Sequence, residues 1–158
     1  MSFRKSPTLS TKVVRKLRGR EIEEYNQIDV STMSTIFLVE DDQYISRVYE
    51  RAFRLGGHEV EIMEDGESAW TKLSAMDPLP SAIILDIILP KMSGTDLLAK
   101  IDGDRRFDHT PIAVLTNSFN QDLEKKLLAA GADLYLIKID HEPKDVVAKI
   151  EDLIRKIH

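Results

Sequence analysis

An α/β fold with a parallel sheet is predicted by the alternation of short apolar runs and longer amphipathic segments along most of the chain. From residue 34 onward, five apolar runs rich in Ile, Leu and Val each precede a segment whose apolar residues recur at helical spacing. The runs are mostly apolar throughout, as expected for strands that are buried on both faces of a sheet. Five successive βα pairs therefore indicate one parallel sheet covered by helices.

The sequence predicts five strands and the helices that follow them. A polar residue comes directly after each strand. The strands are Thr35–Val39, about His58–Met63, Ala82–Leu85, Pro111–Leu115 and Leu134–Ile137. The helices are recognised by apolar stripes, of which the longest comprises Val146, Val147, Ile150, Leu153, Ile154 and Ile157. The signals that bound the helices are the stops at Gly56-Gly57, Asp77-Pro78 and Gly131 and the start at Pro143.

Length and composition limit the class of protein. A chain of 158 residues is long enough for one compact domain with a buried core and a tail. No cysteine is present, which excludes disulfides, thiolate metal ligands and cysteine nucleophiles. No apolar run is long enough to cross a bilayer, and the first residues lack the apolar stretch of a secretory signal. We therefore expect no membrane span and a cytoplasmic location.

Charge is distributed unevenly along the chain. Residues 1–32 contain seven Lys/Arg and four Asp/Glu, whereas residues 33–158 contain 15 and 23. We expect residues 1–33 to be a basic, disordered extension and residues 34–158 to be the folded domain. The alternative for the extension is a short helix carrying Leu9, Val13 and Leu17. The acidic domain is not expected to bind nucleic acid through phosphate contacts.

Polar side chains follow the predicted strands at the sheet edge where ligands bind in parallel α/β folds. The candidates after strands one, three, four and five are Glu40, Asp41 and Asp42, then Asp86, Thr116 and Lys138. Carboxylates gathered at close range repel one another, and a divalent cation relieves that repulsion. Oxygen ligands suit Mg²⁺, and a metal-bound Asp can attack phosphorus to give an acyl phosphate. The hydroxyl and the ammonium would then bind phosphoryl oxygens.

These residues lie in motifs that resemble a known family. The segments Phe37–Asp42, Ile84–Gly94, Val114–Thr116 and Tyr135–Lys138 resemble, in order and spacing, the motif blocks of response-regulator receiver domains of two-component systems. The resemblance covers about Ser34 to Ile157. It implies a flavodoxin-like (βα)₅ three-layer sandwich whose parallel strands have the order 2-1-3-4-5.

The resemblance also implies roles for the acidic residues. Asp86 would be the phosphoacceptor, and Asp42 and Asp86 would bind Mg²⁺ directly. Asp41 would act on the metal through water. The backbone carbonyl of Ile88 would complete the metal site.

Further implied roles concern the phosphoryl group and the signal. Thr116 and Lys138 would contact the phosphoryl group, and Tyr135 would be the aromatic switch residue that rotates inward on activation. A histidine kinase or phosphotransfer protein would be the donor, and an effector protein would bind the face of the fourth helix, fifth strand and fifth helix. Such a domain is a phosphoacceptor that assists its own phosphorylation and dephosphorylation rather than an enzyme. We expect no output domain within the 158 residues.

Two positions depart from the family pattern. Ile139 follows Lys138 where the family usually has a proline joined by a cis bond. A cis bond before a non-proline residue costs about 2.5–4 kcal/mol, so we expect a trans bond here. Asn117 follows Thr116 where the family usually has a small residue. Both departures favour an alternative, a pseudo-receiver that binds partners without being phosphorylated.

Simpler roles are open to each candidate residue taken alone. An Asp after a strand is commonly a turn residue or a helix N-cap, and Thr116 could cap the fourth helix. Lys138 could be solvated at a strand end, and Tyr135 could be ordinary strand packing. The four histidines lack metal-ligand spacing and are predicted at the surface.

Two other function classes use a similar sheet. A phosphatase with an aspartyl nucleophile would need a second acid two residues later, where Ile88 stands. A flavin or nucleotide site would need a loop rich in Gly or Ser/Thr after the first strand. The acidic residues at that place, Glu40 to Asp42, would instead repel a phosphate.

Overall fold

The computed structural model describes residues 8–17, 20–29 and 34–157, and the chain divides into two compact units, Met1–Met33 and Ser34–His158. In the first unit, β1 (Thr8–Leu17) and β2 (Arg20–Asp29) pair as an antiparallel hairpin. This differs from the prediction of a disordered extension or a short helix. The register pairs ten residues of each segment, from Thr8 with Asp29 to Leu17 with Arg20.

The second unit alternates strands and helices throughout. Its strands are β3 (Thr35–Val39), β4 (Glu59–Met63), β5 (Ala82–Leu85), β6 (Ile112–Thr116) and β7 (Leu134–Ile137). Its helices are α1 (Gln43–Leu55), α2 (Gly66–Ala75), α3 (Gly94–Asp102), α4 (Gln121–Ala129) and α5 (Pro143–Ile157). Two 3₁₀ turns lie at Arg105–Phe107 and Lys138–Asp140. None of the helices among the described residues combines the length and hydropathy needed to cross a bilayer.

The five strands form one parallel sheet in the order β4-β3-β5-β6-β7. Counted along this unit the order is 2-1-3-4-5, which confirms the predicted flavodoxin-like topology. The register pairs Leu85 of β5 with Val39 on one side and Val114 on the other, and it pairs Thr116 with Ile137. The strands therefore end side by side, and the residues that follow them share one edge of the sheet.

Alternate residues of each strand contribute to two separate buried clusters. Phe37 and Ile83 belong to the cluster that also receives side chains from α2, α3 and α4. Ile36 and Ile84 belong to the cluster that receives side chains from α1 and α5. The sheet is thus the middle layer of a three-layer sandwich, which explains why the strand sequences are apolar on both faces.

The prediction that the histidines lie at the surface is wrong for His58. This side chain is buried, and its Nε2 lies 2.7 Å from Oε1 of Glu151 in α5. The partner is 93 residues away along the chain. Spacing in the sequence gives no sign of such a contact, because only the packing of α5 creates it.

Candidate functional site

The hydrogen-bond pattern of the sheet continues for one residue beyond β3 and β5, and this holds Glu40 beside Asp86. The Glu40 N–H donates to the carbonyl of Met63 (3.0 Å), and the Asp86 N–H donates to the carbonyl of Val39 (3.1 Å). Both acidic residues are buried, with 3% and 8% of their surface exposed. Two carboxylates are therefore held close together at the carboxyl edge of the sheet.

Lys138 joins these two carboxylates. Its Nζ lies 2.6 Å from Oδ2 of Asp86 and also donates to Oε2 of Glu40. The Lys138 side chain is 9% exposed, so it is not the solvated lysine considered as the simpler alternative. Buried carboxylates need a compensating charge. The ammonium supplies it here, which shows that the pocket accommodates a cation.

Burial and ion pairing have opposite effects on the pKa values of Glu40 and Lys138. Burial raises the pKa of the Glu40 carboxyl, and the hydrogen bond and charge of Lys138 offset only part of this effect. Burial alone would lower the pKa of Lys138, but the hydrogen bonds to Asp86 and Glu40 outweigh it and the pKa is raised. Lys138 is therefore charged, and its charge holds the two acidic side chains together.

The second oxygen of Asp86 is held by the backbone of the loop that follows β5. Oδ1 accepts hydrogen bonds from the N–H groups of Ile87 (2.6 Å) and Ile88 (3.3 Å). The Gly94 N–H donates to the carbonyl of Ile87 (2.8 Å), which closes the loop at the start of α3. The carboxylate is thereby oriented with Oδ2 toward Lys138. Metal binding by the carbonyl of Ile88 stays a prediction.

The structure gives the three acidic residues after β3 different positions. Asp42 is exposed and caps α1, because its Oδ1 accepts from the N–H groups of Tyr44 (2.9 Å) and Ile45 (3.0 Å). A helix N-cap satisfies backbone donors that otherwise lack partners, which holds this side chain at the helix. Direct metal binding by Asp42 stays a prediction, and the structure uses Oδ1 of this side chain for the helix cap. The buried position is taken by Glu40, which the sequence pattern did not distinguish from its two acidic neighbours, while Asp41 is exposed.

Thr116 and Tyr135 both bind the loop between β6 and α4. Thr116 is buried, and its Oγ1 accepts from the N–H of Ser118 (3.3 Å). The hydroxyl of Tyr135 donates to the carbonyl of the same Ser118. The N-cap of α4 is Asn120, so Thr116 does not cap that helix. The loop thus connects the edge of the pocket with β7 and α4.

The bond between Lys138 and Ile139 is trans, as predicted. With this trans bond, the Lys138 side chain still reaches the pocket and contacts Asp86. Residues 138–140 form a 3₁₀ turn that starts directly at the end of β7. The Ile139 N–H donates to Oδ1 of Asn117 (3.2 Å). The two residues that depart from the pattern are therefore bonded to each other.

The pocket lies within a segment that matches a known protein family. The sequence model of the response regulator receiver domain matches residues 36–151, a range that includes every residue of the pocket. The chain belongs to the response regulator receiver domain family. It is accordingly a receiver domain of two-component signalling.

Relatives of this receiver domain are longer proteins. CpxR, a transcriptional regulatory protein of Klebsiella pneumoniae, is 32% identical over 127 residues, which are 80% of this chain and 51% of that protein. PrrA, a transcriptional regulatory protein of Mycobacterium tuberculosis, is 33% identical over 126 residues, or 79% and 52%. Histidine kinase P4 of Formosa agariphila is 36% identical over 105 residues, or 66% and 7%. The chain thus spans about half the length of these regulators and a small part of the kinase.

Solved receiver domains with this fold include metal-bound forms. One belongs to a sensor histidine kinase of Pseudomonas aeruginosa and has a magnesium ion coordinated in its active-site cleft. It has a TM-score of 0.69 and 26% identity, and the match covers 78% of this chain and 99% of that chain. The Mn²⁺-bound form of response regulator Rcp1 has a TM-score of 0.65 and 30% identity, with 75% and 90% covered. Both agree with the fold described above.

The residues of the pocket suit a divalent cation, although no complete cage is assembled. Among the described residues, no group of three Asp, Glu or His side chains is arranged to hold a metal ion. Mg²⁺ commonly binds to only one or two carboxylates and completes its shell with water and phosphate. Glu40 and Asp86 provide two carboxylates that already share one cation, Lys138. The donor set therefore fits Mg²⁺.

Proposed function

We propose that this receiver domain accepts a phosphoryl group on Asp86 from a histidine kinase or a phosphotransfer protein, in the cytoplasm and with Mg²⁺ bound beside it. The observation that carries the proposal is the contact of 2.6 Å between Lys138 Nζ and Asp86 Oδ2, with buried Glu40 on the same ammonium. The domain would serve as a phosphoacceptor rather than as an enzyme.

The proposed step forms one bond and breaks one. A carboxylate oxygen of Asp86 attacks phosphorus, and the bond from phosphorus to the donor breaks with its electron pair leaving on the donor. When bound, Mg²⁺ would supply positive charge to the carboxylates and to the incoming phosphate. The ammonium of Lys138 and the hydroxyl of Thr116 would donate to the phosphoryl oxygens, which carry the added negative charge.

We assign the metal site to Asp86 with Glu40 and Asp41 rather than with Asp42. The support for Glu40 is its burial beside Asp86 and the cation that they share. Asp41 is exposed, directly precedes the helix cap and carries a carboxylate that the cap does not use. Asp42 instead supplies the two hydrogen bonds that start α1.

A pair of variants separates these roles. Asp42→Ala is expected to lower the free energy of unfolding by about 1 kcal/mol, because α1 loses its N-cap, and to leave Mg²⁺ affinity nearly unchanged. Glu40→Gln is expected to weaken Mg²⁺ binding by about tenfold or more, the scale seen when a group supporting a metal site is removed. Urea unfolding and Mg²⁺ titration by calorimetry measure the two effects. Equal losses of Mg²⁺ affinity in the two variants would contradict the assignment.

We propose that the signal passes to an effector through the face formed by α4, β7 and α5. Support comes from Ser118, whose N–H is bound by Thr116 and whose carbonyl is bound by Tyr135. When the Thr116 hydroxyl turns to a phosphoryl oxygen, the Ser118 N–H loses its acceptor and the loop before α4 rearranges. Tyr135 follows through its own bond to that loop, in keeping with its predicted role as the switch residue.

Intact-mass spectrometry with a small phosphodonor tests the proposed function. With acetyl phosphate and Mg²⁺, the wild type is expected to gain the mass of one phosphoryl group, and Asp86→Asn is expected to gain none. An amide has no carboxylate oxygen that can attack phosphorus. A wild type that stays unmodified at saturating donor and Mg²⁺ would refute the proposal and favour the pseudo-receiver alternative.

A further inference from the structure

We infer that Asn117 positions Lys138 for phosphoryl transfer through its hydrogen bond to the backbone of Ile139; this inference rests on the proposed function of the pocket. β6 and β7 pair up to Thr116 and Ile137, so Asn117 and Lys138 are the next residue on each chain. Beyond this pair the sheet ends. The side chain of Asn117 continues the contact between the two strand ends.

The 3₁₀ turn that carries Lys138 has little support of its own. The first N–H groups of a helical turn lack partners within it, and the preceding residue, Ile137, provides no side-chain cap. The bond from the His141 N–H to the Lys138 carbonyl is long, at 3.4 Å. Asn117 Oδ1 accepts from the Ile139 N–H at 3.2 Å. It thereby supplies, from the neighbouring strand, an acceptor that the turn needs.

The turn sets the point from which the Lys138 side chain starts. Lys138 is the first residue of the turn, and its ammonium must cross from β7 past β6 to reach Asp86 at the end of β5. A small rotation of the turn is transmitted along this long side chain to the ammonium. Because a displacement of about 1 Å in a reacting group can cost about 100-fold in rate, the bond matters more for the reaction than for the fold.

Because Asn117 and Ile139 are exposed, the effect of their hydrogen bond on the rate can be measured apart from its effect on stability. Ile139 is 81% exposed and Asn117 is also exposed, so water can replace the lost bond when Asn117 is truncated. The stability of the domain is therefore expected to change little, since an exchanged hydrogen bond has a small net value. A role of Asn117 in merely holding the fold predicts the reverse, a loss of stability with no specific effect on rate.

The first experiment measures the rate of phosphorylation by acetyl phosphate with saturating Mg²⁺ in a double-mutant cycle. Asn117→Ala is expected to slow the rate about tenfold in the wild-type background. In an Ile139→Pro background it is expected to have almost no effect, because proline has no N–H for Asn117 to accept. Phe119→Ala is the matched control in the same loop, since its side chain is 65% exposed, and it should keep the wild-type rate.

Equal slowing by Asn117→Ala in both backgrounds would overturn the inference, because it would mean that the amide contacts the phosphoryl group directly. An unchanged rate in the wild-type background would overturn it as well. Ile139→Pro also alters the turn itself, since the residue before a proline avoids helical angles. A second measurement that needs no phosphorylation therefore stands beside the cycle.

That second measurement is solvent exchange of the Ile139 amide by NMR. Asn117→Ala is expected to speed this exchange about fivefold, which corresponds to the net value of about 1 kcal/mol for one hydrogen bond. Asn117→Asp retains the acceptor oxygen and should keep exchange near the wild-type rate. Exchange that is unaffected by Asn117→Ala would refute the hydrogen bond itself. A wild type that takes up no phosphoryl group would refute the proposed function, while the exchange data would still decide whether Asn117 holds the turn.

Discussion

Replacing Lys138 by Met is expected to slow phosphoryl uptake at Asp86 by about 100-fold or more while Mg²⁺ binding becomes tighter. A preorganised donor to a developing anionic oxygen contributes about 10²–10³ in rate, and the methionine removes it. The same substitution removes the ammonium that competes with a metal ion for the Glu40 and Asp86 carboxylates. Affinity and rate should therefore move in opposite directions, which calorimetry and the acetyl phosphate reaction measure separately.

Lys144→Met is the matched control for this variant. Lys144 also pairs with a carboxylate, that of Glu142, but its side chain is 79% exposed and it lies at the start of α5. We expect wild-type Mg²⁺ affinity and a wild-type rate in this control. Weaker Mg²⁺ binding in Lys138→Met would show that the ammonium and the metal do not share the same carboxylates, and our account of the pocket would be wrong.

Replacing Gly94 by Ala is expected to lower the free energy of unfolding by about 3 kcal/mol, near the upper end of the usual cost of overpacking. A Cβ atom at this position would lie 2.0 Å from the carbonyl oxygen of Asp86 and 2.7 Å from Cα of Ile87. Both are backbone atoms of the loop that orients the phosphoacceptor, so they cannot move aside without displacing Asp86. Urea unfolding is expected to show the loss of stability.

Gly103→Ala provides the comparison for the Gly94 variant. Gly103 lies at the other end of α3 with φ −77°, and the nearest atom to an added Cβ there is the Ala99 carbonyl oxygen at 3.3 Å. This substitution is expected to change stability by less than about 1 kcal/mol, the ordinary range for a glycine replaced at a compatible backbone angle. Similar values for the two variants would mean that the loop does not approach Gly94 as closely as the structure shows.

The strands of the second unit were predictable because both of their faces are buried. Thr35–Val39, Ala82–Leu85 and Leu134–Ile137 were assigned with the bounds that the structure has. A run of this length that is apolar throughout is typical of a strand buried in a parallel sheet. The order of the strands in the sheet rested on the resemblance to receiver domains, since the apolar pattern alone does not determine which strands are neighbours.

The arrangement of the acidic residues could be predicted only in part. Three successive acids after β3 indicate a charged strand end, but the sequence does not determine which side chain turns toward Asp86. In the structure Asp42 caps α1, and Glu40 is the acidic side chain that contacts Lys138. A helix start at Gln43 directly after an Asp was the signal that could have identified the cap.

The remaining differences between the predictions and the structure arise from contacts between residues that are distant in the sequence. The trans bond before Ile139 was predicted from its energy, but the consequence for Lys138 depends on the turn and on Asn117 from another strand. The burial of His58 depends on Glu151 of a distant helix. Contacts of this kind form only when the elements pack, so local sequence patterns do not reveal them.

The most direct test of the central claim is to identify the residue that carries the phosphoryl group. Borohydride reduces an acyl phosphate of aspartate to homoserine, and peptide mass spectrometry then locates the modified position. After treatment with acetyl phosphate and Mg²⁺, we expect homoserine at position 86 and none at this position when Mg²⁺ is omitted. Homoserine at residue 41 or 42 instead, or at position 86 regardless of the metal, would contradict a metal-dependent acceptor at Asp86.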